Sequence, residues 1–157
     1  MIRQGTRDDA RGVARVQVRT WRAAYAGVLP SDGLSRMSVD RAAGQWQAHP
    51  PLVAEEDGEI LGFVSVGASR DEDADGELFA IYVEPGRWGT GVGRALIDAA
   101  EARLRERGYR DVILWVLEDN PRARLFYEAA GWQADGGGRP IEIFGVSVPE
   151  IRYRKRL

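Results

Sequence analysis

Three glycines at positions 89, 91 and 93 form the segment whose chemistry is easiest to infer from residue type and spacing. They follow an apolar run, Leu78 to Val83, and they precede residues with helical periodicity. Positions without side chains let the backbone turn tightly and bring N–H groups close to a ligand, and a helix N-terminus adds about half a positive charge. The pattern predicts a phosphate-binding loop over 88–94, with a glycine-rich connection that binds nothing as the alternative.

Two common phosphate loops do not fit this segment. A mononucleotide loop needs Gly-Lys followed by Ser or Thr, and the segment contains no lysine. A dinucleotide loop needs a third glycine where Arg94 stands and an acidic residue near the end of the next strand, whereas Asp111 precedes that strand. Neither class of nucleotide-binding domain is therefore the favoured interpretation.

Composition excludes several other kinds of chemistry. The chain of 157 residues has no cysteine, one histidine (His49), one lysine (Lys155) and a formal net charge of −2. These counts argue against thiolate nucleophiles, histidine or cysteine metal sites, Schiff-base chemistry and nucleic acid as a main partner. No apolar run is long enough to span a membrane, and the N-terminus lacks the apolar core of a secretory signal. We expect no metal, no membrane segment and a cytoplasmic location.

Hydrophobic periodicity predicts helices and strands that would position the glycine loop. Asp57 and Gly58 are typical of a tight hairpin turn, and Gly27, Pro30 and Gly33 are expected to interrupt helical structure. The predicted elements are a helix after the Thr6/Asp9 capping pattern, a helix after Ser38, strands over 52–54, 60–66 and 78–83, a helix over 96–104, a strand over 112–117, a helix from Asn120 to Ala129, and closing strands over 141–144 and 151–157. The whole chain, residues 1–157, is expected to be one α+β domain with one parallel crossover.

Two segments of this chain resemble the GNAT superfamily, the general-control-related N-acetyltransferases. The acyl-CoA loop of that family reads Gln or Arg, x, x, Gly, x, Gly or Ala after a strand, and residues 88–93 follow it except that Trp88 takes the first position. Residues 120–132 resemble the family's Asn-x-x-Ala-x-x-Phe-Tyr segment closed by Gly and an aromatic residue. The resemblance covers essentially the whole chain. It implies a mixed, mostly antiparallel sheet of about six to seven strands flanked by about four helices.

The resemblance also implies roles for individual residues. The main chain of Ile81 and Val83 would pair with the pantetheine arm of acetyl-CoA, and Asn120 would contact the same region. The pyrophosphate would be held by Trp88, Gly89, Thr90, Gly91, Val92, Gly93 and Arg94. Tyr127 would protonate the thiolate of CoA as it leaves, because a phenol near pKa 10 can donate to it. Glu77 stands where some members carry a catalytic glutamate, since the attacking amine must first lose a proton.

Each of these roles has a structural alternative. Asn120 is equally suited to cap a helix, and Tyr127 beside Phe126 is also suited to a hydrophobic core. Glu77 closes an acidic stretch that begins at Asp71 and is more typical of a solvated loop than of a metal site. A water chain is the alternative to Glu77 as the general base.

The resulting hypothesis is an N-acetyltransferase that moves an acetyl group from acetyl-CoA to a primary amine by direct transfer in a ternary complex. A catalytically silent acyl-CoA-binding sensor is the alternative. The acceptor, a small-molecule or peptide amine, cannot be read from the sequence. The resemblance further implies a homodimer, for which the alternating segment Ile151 to Leu157 offers an exposed strand edge.

Overall fold

The computed structural model describes residues 1–157, whose strands form one seven-stranded sheet. In chain order the strands are β1 (Ile2–Gln4), β2 (Leu52–Glu56), β3 (Glu59–Ala68), β4 (Gly76–Val83), β5 (Asp111–Leu117), β6 (Gln133–Ile143) and β7 (Val146–Arg156). Their order across the sheet is β1-β2-β3-β4-β5-β7-β6. Only β4 and β5 run parallel, and every other neighbouring pair is antiparallel. The predicted mixed, mostly antiparallel sheet with one parallel crossover is confirmed.

Five helices flank the sheet, one more than the sequence pattern predicts. They are α1 (Ala10–Ala24), α2 (Ser31–Arg36), α3 (Val39–Ala48), α4 (Val92–Glu106) and α5 (Pro121–Ala129). The additional helix is α2, which contains Gly33, a residue expected to break helical structure. A Cβ at Gly33 would lie 2.2 Å from the ring of Phe144, and Leu34 is buried. Tertiary packing therefore overrides the weak helix propensity of this segment. None of the helices is long and apolar enough to cross a membrane.

The helix caps and the hairpin turn that the sequence predicts are present in the structure. The Asp9 carboxylate accepts the Thr6 N–H at 2.8 Å, and the Ser38 hydroxyl oxygen accepts the Arg41 N–H at 3.4 Å. Between β2 and β3, Asp57 and Gly58 both take positive φ angles, 51° and 81°. Two positive angles are what a tight hairpin turn requires, and this turn sets the register of the first strands.

Successive side chains along each strand point to opposite faces of the sheet, and both faces are buried. Val53 and Phe63 pack with α1 and α3, whereas Leu52 and Val64 pack with α4. Trp132, directly after α5, is fully buried in the cluster on the α4 side. With both faces covered, the sheet is a rigid platform that holds the N-terminus of α4 beside the end of β4.

The closing strand is not an edge of the sheet, so the expectation for Ile151 to Leu157 is wrong. Strand β7 lies between β5 and β6, and its residues pair on both sides. Alternating apolar and basic residues suit an interior strand here because arginines on β7 form ion pairs instead of facing only solvent. The free edges belong to β1 and β6.

The acidic stretch before β4 is held by those same arginines. Arg152 donates to Asp71 at 3.1 Å and to Asp73 at 2.7 Å, and Arg154 donates to Asp73 and Asp111. Asp75 accepts the main-chain N–H of Asp111 at 2.8 Å. This network ties the segment before β4 to β5 and β7.

Candidate active site

A cleft opens where β4 and β5 separate. The two strands pair only over Gly76–Leu78 and Val112–Leu114, and a bulge at Phe79 interrupts the pairing of β4 with β3 at that point. Beyond it a cavity of about 750 Å³ lies between the diverging strands. Its walls come from the end of α1, from β4, from the glycine loop, from α5 and from β6 and β7. The middle of the sheet is therefore shaped to accept a long ligand.

The open edge of β4 directs main-chain groups toward this cleft, although the Val83 carbonyl accepts hydrogen bonds from Thr20 and Trp88. The N–H of Glu84 donates to the carbonyl of Leu61 on β3 at 2.7 Å. Because alternate residues of a strand point their N–H and C=O groups to opposite sides, those of Ile81 and Val83 face away from β3 and toward the cleft. Both predicted residues line the cavity, in the geometry that an added strand-like ligand needs.

The glycine loop at one end of the cavity is built to meet an anion. Gly89 and Gly91 have φ angles of 77° and 93°, and Gly91 is the N-terminal cap of α4. A Cβ at Gly93 would lie 3.1 Å from the ring of Phe126, so this position also requires a minimal side chain. Five N–H groups of the loop donate to no group in the chain: those of residues 89 and 91–94. Together with the helix dipole they form a site that fits a pyrophosphate.

Trp88, which stands where the family pattern has Gln or Arg, is fixed by two contacts. Its indole N–H donates to the carbonyl of Val83 at 2.8 Å, and the guanidinium of Arg122 lies 3.5 Å from its ring centroid. Arg122 has no carboxylate partner, and burial lowers its pKa. Arg122 also lines the cavity. The guanidinium of Arg122 on α5 thus lies close to position 88, where the loop has no cationic side chain. The sequence analysis did not identify Arg122.

Thr90 and Arg94 are the polar side chains of the loop. The Thr90 hydroxyl donates to the carbonyl of Arg87 within the loop, so it stabilises the turn. Arg94 forms an exposed ion pair with Asp98 at 3.2 Å, one helical turn later, and it also lines the cavity. Exposed pairs of this kind are weak, so Arg94 can exchange its partner for a phosphate at small cost.

Tyr127 brings a phenol into the middle of the cleft. Its ring is buried against Phe126 and Tyr153, with centroid distances of 5.5 and 6.2 Å. The hydroxyl lines the cavity and has no hydrogen-bond partner in the chain. Burial raises the pKa of Tyr127, and the neighbouring phenols of Tyr82 and Tyr25 add to the shift. The phenol is therefore protonated at neutral pH and free to donate.

Asn120 performs the structural role that its sequence context suggests and also faces the cavity. Its side-chain oxygen accepts the N–H of Ala123 at 3.2 Å, which caps α5. The residue lines the cavity, where its amide nitrogen, which does not take part in the cap, is directed toward the Tyr25 phenol. Capping and ligand contact use different atoms, so both predicted roles are compatible in this geometry.

Glu77 is separated from the other predicted site residues. It is fully buried on β4, yet it does not line the cavity. The main-chain N–H of Arg70 donates to one of its oxygens at 3.0 Å, and the guanidinium donates to the other at 2.6 Å. Neither carboxylate oxygen is free in this arrangement.

The structure adds polar residues at the far end of the cavity that the sequence analysis missed. Glu150 and Arg139 come from β7 and β6, Trp115 comes from β5, and Arg70 follows β3. They meet because Glu150 pairs with Leu117 on one side and with Arg139 on the other. No motif marks these residues, since their meeting depends on strand order. His49 and Lys155 lie outside the cavity, His49 exposed at the end of α3 and Lys155 bonded to Glu101.

Comparison with known proteins identifies this architecture. The family model for the acetyltransferase (GNAT) family matches residues 17–132. The uncharacterized N-acetyltransferase YuaI of Bacillus subtilis is 31% identical over 156 residues, which is 96% of this chain and 89% of that protein. A probable N-acetyltransferase of Mycobacterium tuberculosis is 28% identical over 167 residues, 98% of this chain and 91% of its own length.

A solved structure shows the same fold. The PaiA N-acetyltransferase of Thermoplasma acidophilum, crystallised in complex with coenzyme A, aligns with a TM-score of 0.77 and 18% identity, covering 100% of this chain and 98% of that one. Because the cleft and the glycine loop fit an acyl-CoA, the sequence and structural matches agree with the geometry. The chain therefore belongs to the GNAT family of acetyltransferases, enzymes that use acetyl-CoA as the acetyl donor.

Proposed function

We propose that this protein transfers the acetyl group of acetyl-CoA directly to a primary amine in a ternary complex. One observation carries the proposal: the unpartnered hydroxyl of Tyr127 lies in the same cavity as the open edge of β4 and the glycine loop. A donor held by the loop and by β4 would present its thioester to that hydroxyl. The geometry of this cavity and its loop also supports the donor-binding roles that we propose for residues 88–94, Ile81, Val83 and Asn120.

The donor is held by main-chain groups, while bound acetyl-CoA supplies the reactive thioester. In this proposal the loop N–H groups bind the pyrophosphate and the main chain of Ile81 pairs with the pantetheine amides. Val83, whose carbonyl already accepts two hydrogen bonds, contributes its N–H alone. The Val83 N–H stabilises negative charge on the thioester oxygen, because a fixed dipole needs no reorganisation during the reaction. Hydrogen bonds from Trp88 and Thr20 to the Val83 carbonyl, at 2.8 and 3.2 Å, keep this peptide in place.

Tyr127 acts as the acid. When the bond between the acetyl carbon and sulfur breaks, its phenol donates a proton to the thiolate. Burial raises the pKa of Tyr127, so the phenol stays protonated in the free site, and the same desolvation makes the departing thiolate a stronger base toward that proton. The amine must be neutral when it attacks, so an acceptor that binds as the ammonium ion first loses a proton through a water chain or to Glu77. Glu77 can serve only if Arg70 releases one of its carboxylate oxygens.

Direct transfer is favoured over an acetylated enzyme because the chain has no cysteine, and no serine or threonine lines the cavity beside a histidine. Intact-protein mass spectrometry after incubation with acetyl-CoA alone tests this point. Direct transfer predicts an unchanged mass. A stoichiometric gain of one acetyl group that a subsequently added amine removes would contradict it.

The test of the function is release of CoA thiol with a panel of primary amines, with the acetylated amine identified by mass spectrometry. Amine-dependent release that Tyr127→Phe abolishes is the expected result. Acetyl-CoA binding without release for any amine would instead support the silent sensor. The acceptor class (small-molecule or peptide amine), the single domain over 1–157, the homodimer and the cytoplasmic location stay predictions.

A further inference from the structure

A carboxylate with one free oxygen lies at the acceptor end of the cavity. Glu150 is 6% exposed, and one of its oxygens accepts the Arg139 Nε–H at 2.5 Å. The other oxygen has no hydrogen-bond partner in the chain, and Glu150 lines the cavity. A buried carboxylate of this kind is stabilised by a cation that completes its hydrogen bonds. The protonated form of an incoming amine is such a cation.

Guanidinium groups with free donors border the same carboxylate. Arg139 stacks on Trp115, with its central carbon 3.9 Å from the ring centroid, and neither of its terminal nitrogens donates to the chain. Trp115 is itself fixed by its N–H, which donates to Asp71 at 3.1 Å. Arg70 lies over the ring of Phe79 at 5.1 Å, and one of its terminal nitrogens is also free. Stacked, pre-positioned guanidinium groups bind carboxylates well because little side-chain entropy is lost.

These positions present a carboxylate and a guanidinium side by side on the wall of the cavity that β6 and β7 form, on different elements from the glycine loop. We propose that the acceptor is a small zwitterionic amine of the amino-acid type. Its ammonium group binds the free oxygen of Glu150, and its carboxylate binds the terminal nitrogens of Arg139, with Arg70 at the rim. This inference rests on the proposed function and specifies its substrate class.

Local charge favours a zwitterion over a simple amine. The two arginines at this end are each paired with one carboxylate, Arg139 with Glu150 and Arg70 with Glu77, so the four groups sum to zero. A zwitterion adds no net charge. Its ammonium group can face Glu150 while its carboxylate faces Arg139, so opposite charges meet at both ends. An alkylammonium ion adds one uncompensated positive charge to this group and leaves the free donors of Arg139 without a partner.

The experiment compares acceptors with and without the carboxylate, and each kcat/KM is divided by the fraction of amine that is neutral at the assay pH, because the carboxylate also changes the amine pKa. L-Methionine is paired with 3-(methylthio)propylamine, L-leucine with isopentylamine and L-phenylalanine with phenethylamine, and CoA release gives kcat/KM for each. A charge-assisted hydrogen-bonded pair predicts that at least one amino acid exceeds its partner amine on the order of 10- to 100-fold. Equal values, or faster reaction of every decarboxylated amine, would overturn the inference while leaving acetyl transfer intact.

Variants of Arg139 separate recognition from folding. Arg139→Gln keeps a donor for Glu150 but removes the charge, so kcat/KM should fall for the amino acid and stay within about threefold for its partner amine. Arg139→Lys should recover part of the loss, and Arg107→Gln, outside the cavity, should change neither. The KM for acetyl-CoA should be the same in all four proteins. An equal loss for both members of a pair would assign Arg139 a structural role. No release with any amine, despite acetyl-CoA binding, would contradict the proposed function and this inference with it.

Discussion

Removal of one oxygen atom from Tyr127 is the sharpest perturbation of the proposed chemistry. In Tyr127→Phe the ring keeps its packing against Phe126 and Tyr153. The lost hydroxyl has no partner in the chain, so no hydrogen bond is broken and the free energy of unfolding should change by less than about 1 kcal/mol. Loss of a positioned acid should lower kcat about 100- to 10 000-fold. Each tenfold loss of rate corresponds to about 1.36 kcal/mol, so the barrier to transfer rises by about 3 to 5 kcal/mol.

The assay is steady-state CoA release at saturating amine, with acetyl-CoA varied. The KM for acetyl-CoA should stay within about threefold, because the loop and β4 hold the donor through main-chain groups. Tyr109→Phe is the matched control, since Tyr109 packs against the core outside the cavity and should leave kcat unchanged. An unchanged kcat in Tyr127→Phe, with the fold intact by thermal unfolding, would remove Tyr127 from the mechanism.

Three further predictions concern the donor site and the stability of the fold. Gly91→Ala and Gly108→Ala both place a side chain at positive φ with open space around it, so each should cost about 1 kcal/mol of stability, but only Gly91→Ala should weaken acetyl-CoA binding measured by calorimetry. Arg122→Gln should raise the KM for acetyl-CoA on the order of tenfold, and the effect should shrink at high salt. The guanidinium of Arg3 lowers the pKa of Asp9 from 3.8 to about 2. This pair should therefore stabilise the fold by about 1 to 2 kcal/mol above pH 4, a contribution that chemical denaturation should show being lost as pH falls toward 2.

Each of these predictions has an outcome that contradicts it. Equal losses of acetyl-CoA affinity in Gly91→Ala and Gly108→Ala would show that the effect comes from general destabilisation. A KM in Arg122→Gln that is unchanged at low salt would place Arg122 away from the phosphates. An Asp9→Asn variant whose stability deficit is the same at pH 7 and pH 2 would mean that the Arg3 ion pair contributes nothing.

The proposed donor side of the site could be predicted from the sequence because that chemistry is local. Gly89, Gly91 and Gly93 lie within five consecutive residues, and the helix that they cap follows at once. Asn120 and Tyr127 lie on one short helix, so their spacing alone brings both toward the same cavity. Functional residues that lie in one loop or on one helix can be recognised in a sequence from their spacing.

The proposed acceptor side could not be predicted from the sequence because it depends on the order of the strands. Glu150 meets Arg139 and Leu117 only because β7 inserts between β5 and β6, and no sequence pattern specifies that order. The same missing information led to the wrong assignment of β7 as an edge. For Glu77 the sequence indicated a position on β4, but the contact with Arg70 that occupies both of its oxygens arises from the turn before that strand.

Thermal unfolding with and without acetyl-CoA tests most directly whether the cleft between β4 and β5 is a donor site. At 100 times its dissociation constant, acetyl-CoA should stabilise the protein by about 2.7 kcal/mol, and Gly91→Ala should reduce that gain at the same concentration. ATP and NAD serve as controls and should give a much smaller shift. No shift with acetyl-CoA, or an equal shift with ATP, would contradict the assignment of the glycine loop as an acetyl-CoA site.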